Sequence, residues 1–306
     1  MPAKAGIQME ALWIPAGVYP RLGSRFHGND RSGTGMTLLT MRGDGAMSRA
    51  VPFFLRLPLA ENIENLDSPG AAKIAAQIIR QKVFLSRIYQ DFYQEFKRVK
   101  EEFKDGVFVE IGSGGGFLKK VIPGVITSDI LALAHIDLSF SAVSLPFKNS
   151  RVDCFFMFDV LHHVKDAAVF LGELARCLKR GGKVVMIEPA NTLWGRFIYQ
   201  NFHHETFDPN AGWTIDGAGP LSDANGALPW IIFSRDRKKF EKDFPGLKIL
   251  QFKAHTPFRY LISGGLSFRQ LLPSCTYSLI KGVEFVLSPL NPWIGMFSTI
   301  EIERIT

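Results

Sequence analysis

Between residues 71 and 103 the apolar positions recur at steps of three and four: Ile74, Ile78, Leu85, Ile88, Phe92, Phe96, Val99 and Phe103, with one missed turn near Gln81. That is the period of an amphipathic helix, and it predicts one long helix, or two in tandem, capping a sheet. Beyond it the pattern changes to short continuous apolar runs at 107–109, 125–127, 135–140, 154–158 and 183–187, each the mark of a strand covered on both faces. A short helix is expected at 117–122, stopped by Pro123 and Gly124. A longer one is capped by Asp166, buries Phe170, Leu171, Leu174 and Leu178, and ends at Gly181. Segments 248–255 and 297–305 read as a sixth and a seventh strand. Strands alternating with helices make a doubly wound α/β sheet the natural architecture. One interval departs from it. Only seven residues separate Asp129 from Asp137, too few for a helical crossover, so 131–135 is read as an extended or single-turn link.

Residues 1–46 carry eight glycines and three prolines and have no apolar period, which leaves little to offset the entropy of ordering. This stretch resembles peptides translated from dispersed bacterial repeat elements. It is read as a disordered extension or the product of a start codon taken too early, with Met36, Met41 or Met47 as the true start. Residues 47–105 then form a helical cap and 106–306 the main domain, interrupted by a lid insertion at 190–229.

Chemistry enters at the end of the first strand, where Glu110-Ile111-Gly112-Ser113-Gly114-Gly115-Gly116 leads into a helix. Such a turn lets a ligand lie against bare main chain. A dinucleotide fingerprint would need a small residue at 117, where this chain has Phe117. The GxGxG spacing with an acid two residues before the first glycine resembles motif I of the class I S-adenosylmethionine-dependent methyltransferases. The likeness extends from Val107 to Glu188 and is greatest to the type 11 subset. The resemblance implies a Rossmann-like, seven-stranded, mostly parallel sheet with the seventh strand antiparallel beside the fifth, and S-adenosyl-L-methionine as cofactor. On the matching positions it implies that Glu110, Gly112, Ser113, Gly114 and Gly116 hold the cofactor's amino-acid end. Asp129, 17 residues after Gly112, would meet the ribose hydroxyls, from both of which one carboxylate can accept. Ser141 and Ala142 fall where relatives carry an acid and an alanine on the adenine amino group, so that bond would lack charge assistance. Leu145, with Pro146 and Phe147, would wall the adenine. Asp159-Val160-Leu161-His162-His163-Val164 is similar to the family's fourth motif, with Asp159 on the cofactor side. The Asn/Asp-Pro-Pro-aromatic signature of amide and adenine N-methyltransferases is missing there, which disfavours those substrates.

The lid holds Trp194, Tyr199, His203, His204, Glu205, Phe207, Asp208 and Trp213, too aromatic for disorder, and is read as choosing the substrate. Residues 258–292 carry more apolar surface than one helix layer need bury. A dimer interface, a lipid-binding face and an enlarged substrate tunnel are all open.

Composition narrows the setting. Three scattered cysteines show no disulfide framework or zinc spacing and fit a reducing cytoplasm. A net charge of +7 without a long Lys/Arg block does not imply nucleic acid, and a weakly anionic ligand or a membrane surface would account for it as well. A hydroxyl acceptor would gain from a general base, and His162, His163, His203 and His204 are the candidates. No metal is expected, because no His-x-x-x-His or Glu-x-x-His pair is present and adjacent histidines should point different ways. The function expected is methyl transfer to a small or lipid-linked acceptor, a hydroxyl of a saccharide or glycolipid by resemblance. The alternative is a non-catalytic binder of the cofactor or a nucleotide.

Overall fold

A computed structural model describes residues 55–306, apart from 64 and 218. The expected extension at 1–46, and the first part of the cap, lie outside the described residues. The cap is two helices, α1 (Pro69–Gln81) and α2 (Val83–Lys100). Ser68 caps α1, its side chain accepting from the Ala71 N–H, with Pro69 in the first turn where no donor is needed. The missed turn near Gln81 is the break itself. Lys82 is extended (φ −89°, ψ 91°), and its ammonium group donates to the carbonyls of Gly265 and Phe268.

The sheet contains β1 (Phe108–Ile111), β2 (Ile126–Asp129), β3 (Leu138–Ser139), β4 (Val152–Phe158), β5 (Leu178–Pro189), β6 (Leu247–His255) and β7 (Phe297–Arg304). Its order is β3-β2-β1-β4-β5-β7-β6, and only β7 runs antiparallel to its neighbours, β5 and β6. Every residue of β4 is buried, as its unbroken apolar run requires. The link from β2 to β3 contains no helix, and the Asp137 carboxylate closes it by accepting from the N–H and hydroxyl of Thr127. β3 keeps only two residues of the expected strand.

One boundary needs correcting. Helix α4 (Ala167–Cys177) follows a short α3 (Leu118–Val121) and is capped by Asp166, but it ends before Gly181. Leu178 already pairs with Val152, so β5 begins there and passes through Gly181 at φ 76°.

Helix α2 supplies the aromatic layer on one face of the sheet. Phe96 stacks on Phe156 with ring centres 5.2 Å apart, and Phe92 lies 5.2 Å from Phe158 and 5.3 Å from Phe297. Each such side chain contributes about 1.5–3 kcal/mol by leaving water. After β5 come α5 (Leu193–Phe202), α6 (Leu228–Trp230), a π-helical turn (Ile231–Arg235) and α7 (Arg237–Asp243). Between β6 and β7 lie α8 (Arg259–Ser263), α9 (Tyr277–Val286) and α10 (Asn291–Ile294).

Candidate active site

The carboxyl ends of β1, β2 and β4 open into one cavity of about 660 Å³. Its lining includes Glu110, Gly112–Gly116, Asp129, Ser141, Ala142, Asp159 and His163, with His204 and Glu205 from the lid and Ala71, Ala72 and Ala75 from α1. Ligands of such sheets bind at this end of the strands.

The four glycines serve different ends. A Cβ on Gly112, which has φ 72°, would stand 2.4 Å from Val160 Cγ2, and one on Gly116 would stand 2.3 Å from the Tyr93 hydroxyl. One on Gly115 would strike the backbone of α1, 2.5 Å from Ala76 N. Only beside Gly114 (φ 46°) is there open room, the nearest atom being 4.0 Å away. Three of these glycines therefore let the protein pack on itself, and the fourth leaves space for a ligand.

Around that space the polar groups suit the amino-acid and ribose ends of a nucleoside cofactor. Asp129 accepts from Gly114 N–H (2.8 Å) on one oxygen and from Leu131 N–H (2.9 Å) on the other. With about four lone-pair sites, a carboxylate so held can still accept from two vicinal hydroxyls. Burial raises its pKa, against those backbone donors. Glu110 accepts from the Ser113 hydroxyl at 2.7 Å, and burial pushes its carboxyl up to about 7, assisted by the charge of Asp129. Ser141 receives only a long bond from Val143 N–H, so its hydroxyl can serve a ligand. Leu145 is a correction. Its side chain is 2% exposed and sits in the core instead of lining the cavity. Its N–H donates to Glu173 and its carbonyl accepts from Arg176, which fix the segment away from the cleft. Phe147 is core as well.

All four candidate histidines meet at one carboxylate. The turn Leu161–His163 follows β4, and Glu188 at the end of β5 holds it by accepting from the N–H groups of Val160 and Leu161. The second Glu188 oxygen accepts from His162 Nδ1 at 2.7 Å. From the lid, Glu205 brings its carboxylate within 3.3 Å of His162 Nε2, 3.7 Å of His163 Nε2, 3.7 Å of His203 Nδ1 and 3.6 Å of His204 Nε2. The expectation that adjacent histidines diverge is not met. In this tight turn the rings of His162 and His163 lie 4.2 Å apart, tilted by 40°.

Electrostatics sets three of these rings apart. Burial works against a charge on His162, but the carboxylates of Glu188 and Glu205 overcome it and hold the ring's pKa well above the usual value. His163 is pushed down to about 4 by burial and by charged His162, and His203 to about 4 by burial. Glu205 is partly desolvated, yet the histidines keep it far below the usual carboxylate range. Asp159, at φ 62°, is pushed up to about 7 by burial and by the charges of Glu205 and Glu188, against the pull of His162. Its side chain is still 43% open to the cleft, so water moderates that push until a ligand displaces it.

Several of these residues escaped the sequence reading. Glu205 was one polar lid residue among many, and its only signal is its position directly after His203-His204. Glu188 carries no signal in the sequence beyond following the apolar run at 183–187. Gly115 lay between the spaced glycines. Asp67 and Asp223 fix residues 219–223, in the segment between β5 and β6. Asp67 accepts from Leu221 N–H (2.7 Å) and from the N–H and hydroxyl of Ser222. Asp223 accepts from Lys165 (2.9 Å) and Gly219 N–H, and its carbonyl accepts from His163 Nδ1 at 3.4 Å.

Residues 109–186, from β1 through most of β5, match the sequence model of the methyltransferase domain family, type 11. This is a type 11 methyltransferase domain. The match covers 78 of the chain's 306 residues (109 to 186), and the family it names uses S-adenosyl-L-methionine as cofactor. No curated protein matches the chain. Among solved structures it is similar to an S-adenosylmethionine-dependent methyltransferase from Mesorhizobium loti, at 14% identity over 69% of this chain and 97% of that one, with a TM-score of 0.38. A possible histamine N-methyltransferase from Thermotoga maritima matches at 17% identity over 74% and 99%, with a TM-score of 0.42. The geranyl diphosphate C-methyltransferase of Streptomyces coelicolor matches at 16% over 66% and 71%, with a TM-score of 0.35.

Proposed function

We propose that this methyltransferase acts on a hydroxyl oxygen, that of a saccharide or glycolipid, held between the cofactor cleft and the lid. The observation that carries the reading is the convergence of His203, His204 and Glu205 on His162 and His163, in the same cavity as the glycine turn. S-adenosylmethionine, when bound, supplies a methyl already activated on a sulfonium, so the protein's part is to orient the acceptor, exclude water and remove a proton. His162 is 1% exposed, with Nδ1 on Glu188, and lies out of an acceptor's reach. His163 and His203 are held neutral so firmly that they are weak bases. That leaves His204, which lines the cavity with its side chain 44% exposed and can pass a proton on to solvent. The test is turnover of labelled methyl onto cell-envelope extracts. His204→Ala is expected to lower kcat by roughly 10²–10⁴-fold while leaving cofactor affinity unchanged. Full activity in that variant would remove His204 from the role.

A lipid-linked acceptor is favoured by a second feature. Leu279 (68%), Phe285 (79%), Val286 (75%) and Trp293 (55%), on and beside α9 and α10, are exposed, as apolar side chains resting on a lipid surface would be. No helix among the described residues is long and apolar enough to cross a membrane. Co-sedimentation with anionic vesicles, lost in a Phe285→Ser/Trp293→Ser protein, is the expected result. Concentration-dependent dimerisation without vesicle binding would assign the face to a second copy of the chain.

A further inference from the structure

We propose that His162, His163 and Glu205 form a binding site for one divalent transition-metal ion of the zinc class, at the carboxyl end of β4. A zinc ion sits about 2.0–2.1 Å from nitrogen and oxygen donors, so neighbouring donors on a tetrahedron are about 3.3–3.4 Å apart. His162 Nε2 and His163 Nε2 lie 3.3 Å and 3.7 Å from the two oxygens of Glu205, and the three donors are all within 4.8 Å of one another. A set of two imidazoles and one carboxylate selects zinc, iron or their neighbours over magnesium and calcium.

A second observation points to a ligand. His162 is 1% exposed, and its Nε2 makes no hydrogen bond that meets the geometric requirement, although it faces Glu205 Oε2 at 3.3 Å. A buried nitrogen left so is costly unless something fills the gap. Its other nitrogen donates to the Glu188 carboxylate at 2.7 Å, the outer support that fixes a metal-bound histidine's tautomer and raises its donor strength. His163 is aimed in the same way, with Nδ1 on the Asp223 carbonyl and Nε2 turned to Glu205. The charges agree as well. Asp159, Glu188 and Glu205 gather around this point, and a dication offsets them.

Ion binding stands on this geometry alone. Its consequence rests on the hydroxyl reading above, since an acceptor oxygen taking a free coordination position would be oriented and made more acidic beside His204.

The experiment uses the full chain, stripped with a chelator and titrated with Zn²⁺ against a chromophoric competitor. Thermal unfolding, followed in parallel, reports folding. One equivalent per chain is expected. Glu205→Gln and His163→Ala should each weaken binding by 100-fold or more, and Glu188→Gln by roughly 10- to 100-fold, with wild-type cooperative thermal unfolding kept in all three. Stripped Co²⁺-loaded protein should show the visible absorption of a four- or five-coordinate nitrogen and oxygen site, altered by Glu205→Gln. Less than half an equivalent of Zn²⁺ on the wild-type chain, or wild-type affinity in Glu205→Gln, overturns the proposal. A chain that methylates hydroxyls without binding Zn²⁺ refutes the metal and leaves the acceptor reading standing. One that binds Zn²⁺ but methylates no hydroxyl does the reverse.

Discussion

Gly115→Ala is the smallest change that probes the seating of the cap on the cofactor turn. Gly115 does not have a left-handed φ, so alanine adds a methyl group without backbone strain. That methyl would stand 2.5 Å from Ala76 N, 2.9 Å from Ala76 Cα and 3.0 Å from Ala75 C, where ordinary contact begins near 3.4 Å. Since these are backbone atoms, no side chain can swing aside, and α1 itself must retreat by roughly 0.5–1 Å. Overpacking of this kind costs about 1–3 kcal/mol. Because Lys82 interrupts the helix between α1 and α2, the cost falls on the seating of α1 more than on the sheet. At about 1.4 kcal/mol per factor of ten, S-adenosylmethionine affinity should drop roughly 5- to 100-fold. Isothermal titration measures that loss, and hydrogen exchange should show faster exchange in α1 while β4 and β5 stay protected. Unchanged affinity together with unchanged exchange in α1 would mean that the helix does not rest on the turn.

Other expectations follow from the same geometry. Gly114→Val should abolish cofactor binding, because it fills the open space at a left-handed φ; titration calorimetry that still shows binding counts against the assigned cleft. Glu110 keeps its proton up to about 7, above the ordinary 4.5, so the ligand-free fold loses stability as pH rises through that window and then levels off. Glu110→Gln should therefore exceed the wild type by ~3 kcal/mol at pH 8 and match it near pH 4.5, read from urea midpoints. Asp67→Ala removes three bonds to Leu221 and Ser222. It should speed exchange at 219–225 and raise the acceptor KM, with cofactor affinity unchanged.

The sequence carried what its periodicities could encode. Apolar runs placed the strands, the missed turn near Gln81 marked the break between α1 and α2, and seven residues between Asp129 and Asp137 ruled out a helix there. The glycine spacing pointed to a ligand-binding turn, and the structure lines one cavity with Glu110, Gly112, Ser113, Gly114, Gly116, Asp129, Ser141, Ala142 and Asp159. What stayed hidden depends on approaches between distant segments. Nothing local to Gly115 announces that Ala76 lies on it, and Leu145 shows no sign that Arg176 and Glu173 turn its segment into the core. The two histidine pairs are 41 residues apart (203 − 162) in the chain. Their meeting at Glu205 depends on how the lid folds back and on a tight turn that aims neighbouring rings alike.

The lid loop is fastened at both ends of the chain's logic. Asp67, ahead of the first helix, grips residues 221 and 222, and Asp223 beside them steadies the ring of His163. The segment that announces the family, 109–186, is thus not self-sufficient. A fragment trimmed to it would lose both the Asp223 carbonyl that accepts from His163 and the Asp67 carboxylate that holds the residues next to Asp223.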